Sequence, residues 1–346
     1  MRFILLAAAI SLALSLVGTP LVIRFFRSRQ MGQLIRDDGP QSHQTKRGTP
    51  TMGGTAIIIA GLVAYIVSAA FAGRLDSAGG ALAMSTFAGM GLVGFLDDFI
   101  KLRQKRNLGL SKTAKFGGQA LVAIVFAFGA QYVAETSTQL SFIGPLPLDF
   151  GPVLFPIFCF IILSGTSNAV NLTDGLDGLA AGVSAMVFGA YMIIAFWIFR
   201  HEMDYTREAW IHADTLAIAA AAAMGATTGF LWWNAHPAKI FMGDTGSLAI
   251  GGMLASLAVL TETELLVIIL GGLFVAETVS VILQIAVFRL GGGRRLFRMA
   301  PFHHHFEQLG WHENTVIVRF WIIGGLCTAF GIGLFYAEYL SRAGSG

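Results

Sequence analysis

Charge is what this chain has least of. Asp, Glu, Lys and Arg make up 12% of its 346 residues, where a soluble domain carries about 25%. That shortage excludes an ordinary water-exposed globular surface. Cysteine is nearly absent as well. Cys159 and Cys327 are the only two and both lie in apolar stretches, which excludes a disulfide framework. No polar stretch is long enough for an independent soluble domain. No internal repeat is evident, which weighs against the inverted-repeat transporters.

Apolar residues are what fill the chain, at 55% with a mean hydropathy of +0.69. The composition predicts an all-α polytopic membrane protein, with residues 1–346 forming one integral membrane domain. Ten spans are expected, near 3–23, 51–73, 81–96, 117–134, 152–170, 178–199, 214–233, 246–261, 265–289 and 317–337. The first run is longer than a usual signal-peptide core and lacks a clear small-residue cleavage site, so it reads as a retained helix. The 81–96 and 246–261 spans are short and are expected to tilt, to gain polar ends or to be partly re-entrant.

Orientation follows from the 23 Lys and Arg. Only Arg2, Arg74, Arg200, Arg207 and Arg342 fall in one set of connections; all the others fall in the opposite set. The rich face is cytoplasmic by the positive-inside rule, which puts both termini on the outer, periplasmic face. The sequence pI near 9.0 therefore reflects topology and not a nucleic-acid partner.

Neither acids nor histidines entered that assignment, yet they sort with it. Asp97 and Asp98 end the third span, Asp174 and Asp177 lie between the fifth and sixth, and Asp244 opens the eighth. His303, His304 and His305 precede the tenth, while Lys46 and the Gly48–Gly54 run GTPTMGG lie in the first connection. All fall on the cytoplasmic face, so one composite site is expected there.

Each cluster has a plainer explanation. Asp97 and Asp98 with Lys101 suit a helix end with ion pairs at i+3 and i+4, and equally a divalent cation or a general base. Asp174 and Asp177 suit a turn and helix cap, but carboxylates beside hydrocarbon favour ligand contact. The same loop holds a glycosylation sequon at Asn171, idle on a cytoplasmic face. Asp244 could merely cap a helix, or supply the carboxylate that Mg²⁺ takes alongside phosphate oxygens. Three consecutive histidines cannot converge on one tetrahedral zinc, so phosphate or sugar contacts suit them better, with Lys46, Lys112 and Lys115 nearby. Glu277, within the ninth span, lies away from the cytoplasmic end; lining a groove and pairing with another helix both remain open. The combination suits Mg²⁺-assisted chemistry on a phosphorylated substrate.

The motifs GTPTMGG at 48–54, LDDFIK at 96–101, NAVNLTDGLDGLA at 168–180, FLWWNAHPAKIFMGDTGSLAIGG at 230–252 and PFHHHFE at 301–307 follow one another in order. Together they resemble the polyprenyl-phosphate N-acetylhexosamine-1-phosphate transferases. GTPTMGG and PFHHHFE point to the phospho-N-acetylmuramoyl-pentapeptide transferase branch. The resemblance implies transfer of phospho-MurNAc-pentapeptide from UDP-MurNAc-pentapeptide to undecaprenyl phosphate, giving lipid I and UMP for peptidoglycan, in a bacterial cytoplasmic (inner) membrane. It implies that Asp244 binds Mg²⁺, and that Asp97, Asp98, Asp244 and His303 are catalytic. Lys46, Thr51, Asn171, Asp174, Asp177, Asn234 and Phe241 would contact substrate, as would Lys101, His304 and His305. The family's third-loop lysine falls on Lys112 or Lys115. Direct attack and an aspartyl-phosphate intermediate both stay open, and the resemblance allows a homodimer. A sister transferase using a UDP-N-acetylhexosamine without peptide and, from another class, a transporter of phosphorylated metabolites are the competing readings.

Overall fold

The computed structural model describes residues 1–29, 48–104 and 108–343, with side chains to 341. Ten of its helices are long and apolar enough to cross a membrane. They are α1 (Arg2–Ser28), α2 (Gly54–Ala72), α3 (Ala78–Arg103), α4 (Lys112–Tyr132), α5 (Gly151–Thr173) and α6 (Leu179–Arg200), then α8 (Ala213–Asn234), α9 (Gly243–Leu260), α11 (Gly272–Leu290) and α13 (Glu313–Ala343). Shorter helices lie between them: α7 (Arg207–Trp210), α10 (Leu266–Leu270) and α12 (Phe302–Gln308). The protein is a multi-pass membrane protein.

Two helices form the centre. The Ala-rich α8 packs against α1, α2 and α6, and α9 packs against α2, α3 and α5. Each is apolar around its whole circumference, as a helix surrounded by other helices must be. Their small side chains let neighbouring backbones approach closely, which is how helices associate where hydrocarbon offers no hydrophobic driving force. α1, α4 and α11 stand outermost and turn large apolar side chains outward, among them Leu5, Leu121 and Ile282.

The expected spans recur with three differences. α3 runs on through Asp97, Asp98 and Lys101 to Arg103, so the short 81–96 run is a full-length helix with a polar end. The 265–289 run breaks at Gly271 into α10 and α11. Adjacent glycines at 271 and 272 make that bend inexpensive, and the Leu270 carbonyl freed there accepts a hydrogen bond from Thr328 Oγ1 at 3.2 Å. A two-stranded antiparallel hairpin, β1 (Gln139–Ser141) with β2 (Pro145–Asp149), joins α4 to α5.

At one end of the bundle the last turns of α3, α5 and α8 meet the first turns of α2, α4, α9 and α13. Glycine makes the tightest of these meetings possible. A β-carbon at Gly94 would overlap the Asp244 carbonyl, and one at Gly54 would overlap the backbone of Gly246. Gly94→Ala should therefore push α3 off α9 at a cost of about 1–3 kcal/mol, typical of overpacking. The expected outcome is a lower melting temperature in detergent together with lost activity.

Candidate functional site at the helix ends

Helical spacing on α3 places Lys101 one turn beyond both acids. Its ammonium pairs with Asp97 and lies 3.6 Å from Asp98 Oδ1. Carboxylates at a helix C-terminus face the negative end of its dipole, and each is met by compensating donors. Asp97 Oδ1 accepts the Leu110 N–H at 2.8 Å. Asp98 Oδ2 accepts both the Thr245 N–H at 2.9 Å and its hydroxyl at 2.8 Å, so the acid of one helix caps the next.

Asp244 stands in the first turn of α9. Its Oδ2 accepts from Lys101 Nζ at 3.0 Å and from Lys115 Nζ at 2.7 Å. Its Oδ1 accepts from Asn171 Nδ2 at 2.7 Å, and the same amide reaches Ser247 Oγ at 2.8 Å. Carboxylate oxygens of Asp97, Asp98 and Asp244 all lie within 4.8 Å of one another. An all-oxygen donor set of this kind suits a hard cation such as magnesium rather than zinc. The Lys101 ammonium already sits among all three acids, showing that the pocket accepts positive charge.

The loop from Asp174 to Gly178 forms a second wall. Desolvation at the ends of the helices, and after it the charges of Asp244, Asp98 and Asp177, push the Asp174 carboxyl up to about 8, opposed by a hydrogen bond from the Gly243 main chain. Asp174 therefore holds its proton more tightly than an exposed aspartate. Asp177 is turned elsewhere. Its Oδ2 lies 3.0 Å from His236 Nδ1 and accepts the Ala238 N–H at 3.0 Å, while its own N–H donates to Glu313 Oε1 at 3.2 Å. Asp177 thus ties the loop to the α8–α9 connection and to α13.

The GTPTMGG run is a main-chain brace for the same corner. The Phe241 N–H donates to the Pro50 carbonyl at 2.8 Å, and the Gly53 and Gly54 N–H groups donate to the Phe241 and Met242 carbonyls, each at 2.9 Å. Thr51 is buried beside Gly243, and the Phe241 ring is left half-exposed. Asn234 is buried and holds the Ile240 carbonyl at 2.9 Å, so its amide closes the loop from within. Lys46 lies outside the described residues.

The histidine run divides. His303 is fully buried and His304 partly so, with ring centroids 4.1 Å apart, and both Nε2 atoms face Gly175. His305 turns away, stacking on Phe302 and accepting the Arg298 N–H at 3.1 Å. Of the two candidate lysines, Lys115 reaches Asp244, whereas Lys112 stands exposed at the start of α4. For Glu277 the structure shows the second of the two open alternatives, pairing with another helix. α12 folds back and sets His303 Nδ1 3.2 Å from Glu277 Oε2. Sequence reasoning also passed over His236, Glu307 and Glu313. The His304–Glu307 pair, 2.6 Å apart, had a readable signal in its i,i+3 spacing; the other two are united only by the fold.

A helical membrane bundle with acids, cations and a glycine-bearing loop at one end defines a class, that of membrane-embedded phosphosugar transferases. Residues 80–262 match glycosyl transferase family 4, and residues 46–58 match signature 1 of the phospho-N-acetylmuramoyl-pentapeptide-transferases. The phospho-N-acetylmuramoyl-pentapeptide-transferase of Frankia casuarinae is 56% identical over 99% of this chain and 100% of its own length. That of Frankia alni is 55% identical over 99% of each, and that of Saccharopolyspora erythraea 51% identical over the same shares. The chain belongs to the phospho-N-acetylmuramoyl-pentapeptide-transferase family.

The lysine geometry separates two variants. Lys115→Ala removes a charge-assisted bond from Asp244 and should lower kcat/KM by roughly 100-fold, about 2.7 kcal/mol of lost transition-state stabilisation. Lys112→Ala should stay within about threefold of wild type. Initial rates of UMP release measure both.

Proposed function

We propose that this protein transfers phospho-MurNAc-pentapeptide from UDP-MurNAc-pentapeptide to undecaprenyl phosphate, releasing UMP and forming lipid I for peptidoglycan. The observation that carries the reading is the junction of Asp97, Asp98 and Asp244 with Lys101, Lys115 and Asn171, in a chain more than half identical to named transferases of that donor. The site faces the cytoplasm of a bacterial inner membrane, with both termini outside, because the Lys- and Arg-rich connections lie at the site end.

The reaction displaces UMP from the phosphorus that carries the sugar, with the lipid phosphate oxygen as nucleophile. A phosphate monoester has its second pKa near 6, so the acceptor is largely dianionic already and needs little general-base help. Asp97 and Asp98 accordingly position the acceptor and the cations around it. Lys101 and Lys115 neutralise charge on the diphosphate as the bond to UMP lengthens. Asp244, with Asp97 and Asp98 beside it, would hold a magnesium ion, which would supply further neutralisation of phosphate charge. Phe241 offers a half-exposed ring for the uracil, Asp174 a carboxyl in the neighbouring loop, and Asn171 keeps Asp244 aimed inward. Thr51 belongs to the nucleotide side and Lys46 is assigned to it from its sequence motif alone, while His303 and His304 border the sugar-phosphate. Whether a second copy of the chain contributes leaves this chemistry unchanged.

Purified protein in detergent with undecaprenyl phosphate and Mg²⁺ tests the reading. UMP should be released from UDP-MurNAc-pentapeptide and not from UDP-GlcNAc. Release from UDP-GlcNAc alone would reassign the protein to a sister activity, and release from neither would sink the transferase reading. Asp244→Ala should abolish turnover while leaving the melting temperature within a few degrees. Retained Mg²⁺-dependent turnover would remove Asp244 from the metal.

A further inference from the structure

Glu277 is wholly buried on the membrane-spanning helix α11 and has no part in the chemistry described above. A carboxylate there is expensive, and its surroundings say what it holds. His303 Nδ1 lies 3.2 Å from Oε2, and the His303 main-chain N–H points at the same oxygen from 3.4 Å. On the far side of the ring, His303 Nε2 presses on Gly175 so closely that a β-carbon there would overlap it. Gly175 is flanked by Asp174 and lies two residues before Asp177. Neither ring nitrogen nor Glu277 Oε1 has an in-line hydrogen bond, although all are buried. An unsatisfied buried polar atom costs about 1–3 kcal/mol, so such a cluster has to be explained.

A neighbouring pair repeats the arrangement. His304 Nδ1 lies 2.6 Å from Glu307 Oε2, and its Nε2 also borders Gly175. Two imidazoles thus have their Nδ1 atoms beside glutamates and their Nε2 atoms toward one glycine. Carboxylate on Nδ1 fixes ring orientation and favours the tautomer with Nδ1 protonated.

We infer that Glu277 is a positioning residue: from within the membrane span it holds the His303 ring, and through that ring it sets the Asp174–Asp177 loop against the nucleotide. Gln at 277 keeps an oxygen that accepts the His303 main-chain N–H and stands beside the imidazole. Leu fills the same space and accepts nothing. The inference rests on reading the loop as the nucleotide wall.

The experiment compares Glu277→Leu, Glu277→Gln, Gly175→Ala and the Glu277→Leu/Gly175→Ala double variant, with donor and acceptor varied separately. Glu277→Leu should raise the KM for UDP-MurNAc-pentapeptide roughly 10-fold, the mark of lost binding common to ground and transition states. The undecaprenyl-phosphate KM and kcat should stay within about threefold, and Glu277→Gln should recover most of the loss. Glu277→Leu and Gly175→Ala should combine non-additively, since both disturb one contact. A fall in kcat with donor KM unmoved, equal damage from Leu and Gln, or strict additivity would each overturn the inference. The 15N resonances of the His303 ring, identified by their loss in His303→Gln, should shift in Glu277→Leu. That readout stands even if no donor is turned over, an outcome that defeats the transferase reading alone, while unmoved resonances defeat the positioning role.

Discussion

Three carboxylates converge at the end of this bundle, and only the groups standing among them make that tolerable. At 4 Å two like charges repel by about 4 kcal/mol near a protein surface. Lys101 and Lys115 offset that repulsion, and the first turn of α9 offers the Thr245 N–H and hydroxyl to Asp98. Without these partners the approach of α3 to α9 at this end would cost more. The close approach at Gly94 depends on the same arrangement, because it is the Asp244 carbonyl that occupies the space beside that glycine. Packing and chemistry are therefore one constraint. The contact that stabilises the central helices also fixes the separation of the acids.

The division of labour around the glycine-bearing loop follows from what each side chain already holds. Asp177, Asn234 and the main chain of GTPTMGG are engaged in fastening connections to one another. Asp244 and Asn171 are instead joined to Lys101, Lys115 and Ser247 at the acidic cluster, and the Phe241 ring is left half-exposed. Residues that a motif presents as equals are in the structure divided between a frame and the acidic cluster.

Much of this was legible in the sequence. Hydropathy located the spans because hydrocarbon demands about 20 apolar residues per helix, and the Lys and Arg distribution grouped the acids and histidines before any contact was known. Asp97, Asp98 and Lys101 could be read from helical spacing alone. Glu277 could not, because its partner is 26 residues away and meets it only when α12 folds back. Lys112 and Lys115 were indistinguishable for a different reason: both lie in the first turn of α4, and which faces the acids depends on how α4 is rotated against α5. The break at Gly271 had a visible signal in its paired glycines, but continuous hydropathy across it spoke for one helix.

Asp98 serves two masters. It borders the reactive cluster and it also begins α9, accepting the Thr245 amide and hydroxyl on a single oxygen. A helix that loses such a cap gives up about 0.5–2 kcal/mol, here at the most deeply enclosed helix of the bundle. For a compound seated on these acids, a substitution of Asp98 that evaded it would also unfasten the start of α9. Resistance would have to be sought instead at the half-exposed rim, where side chains can change without unfastening a helix.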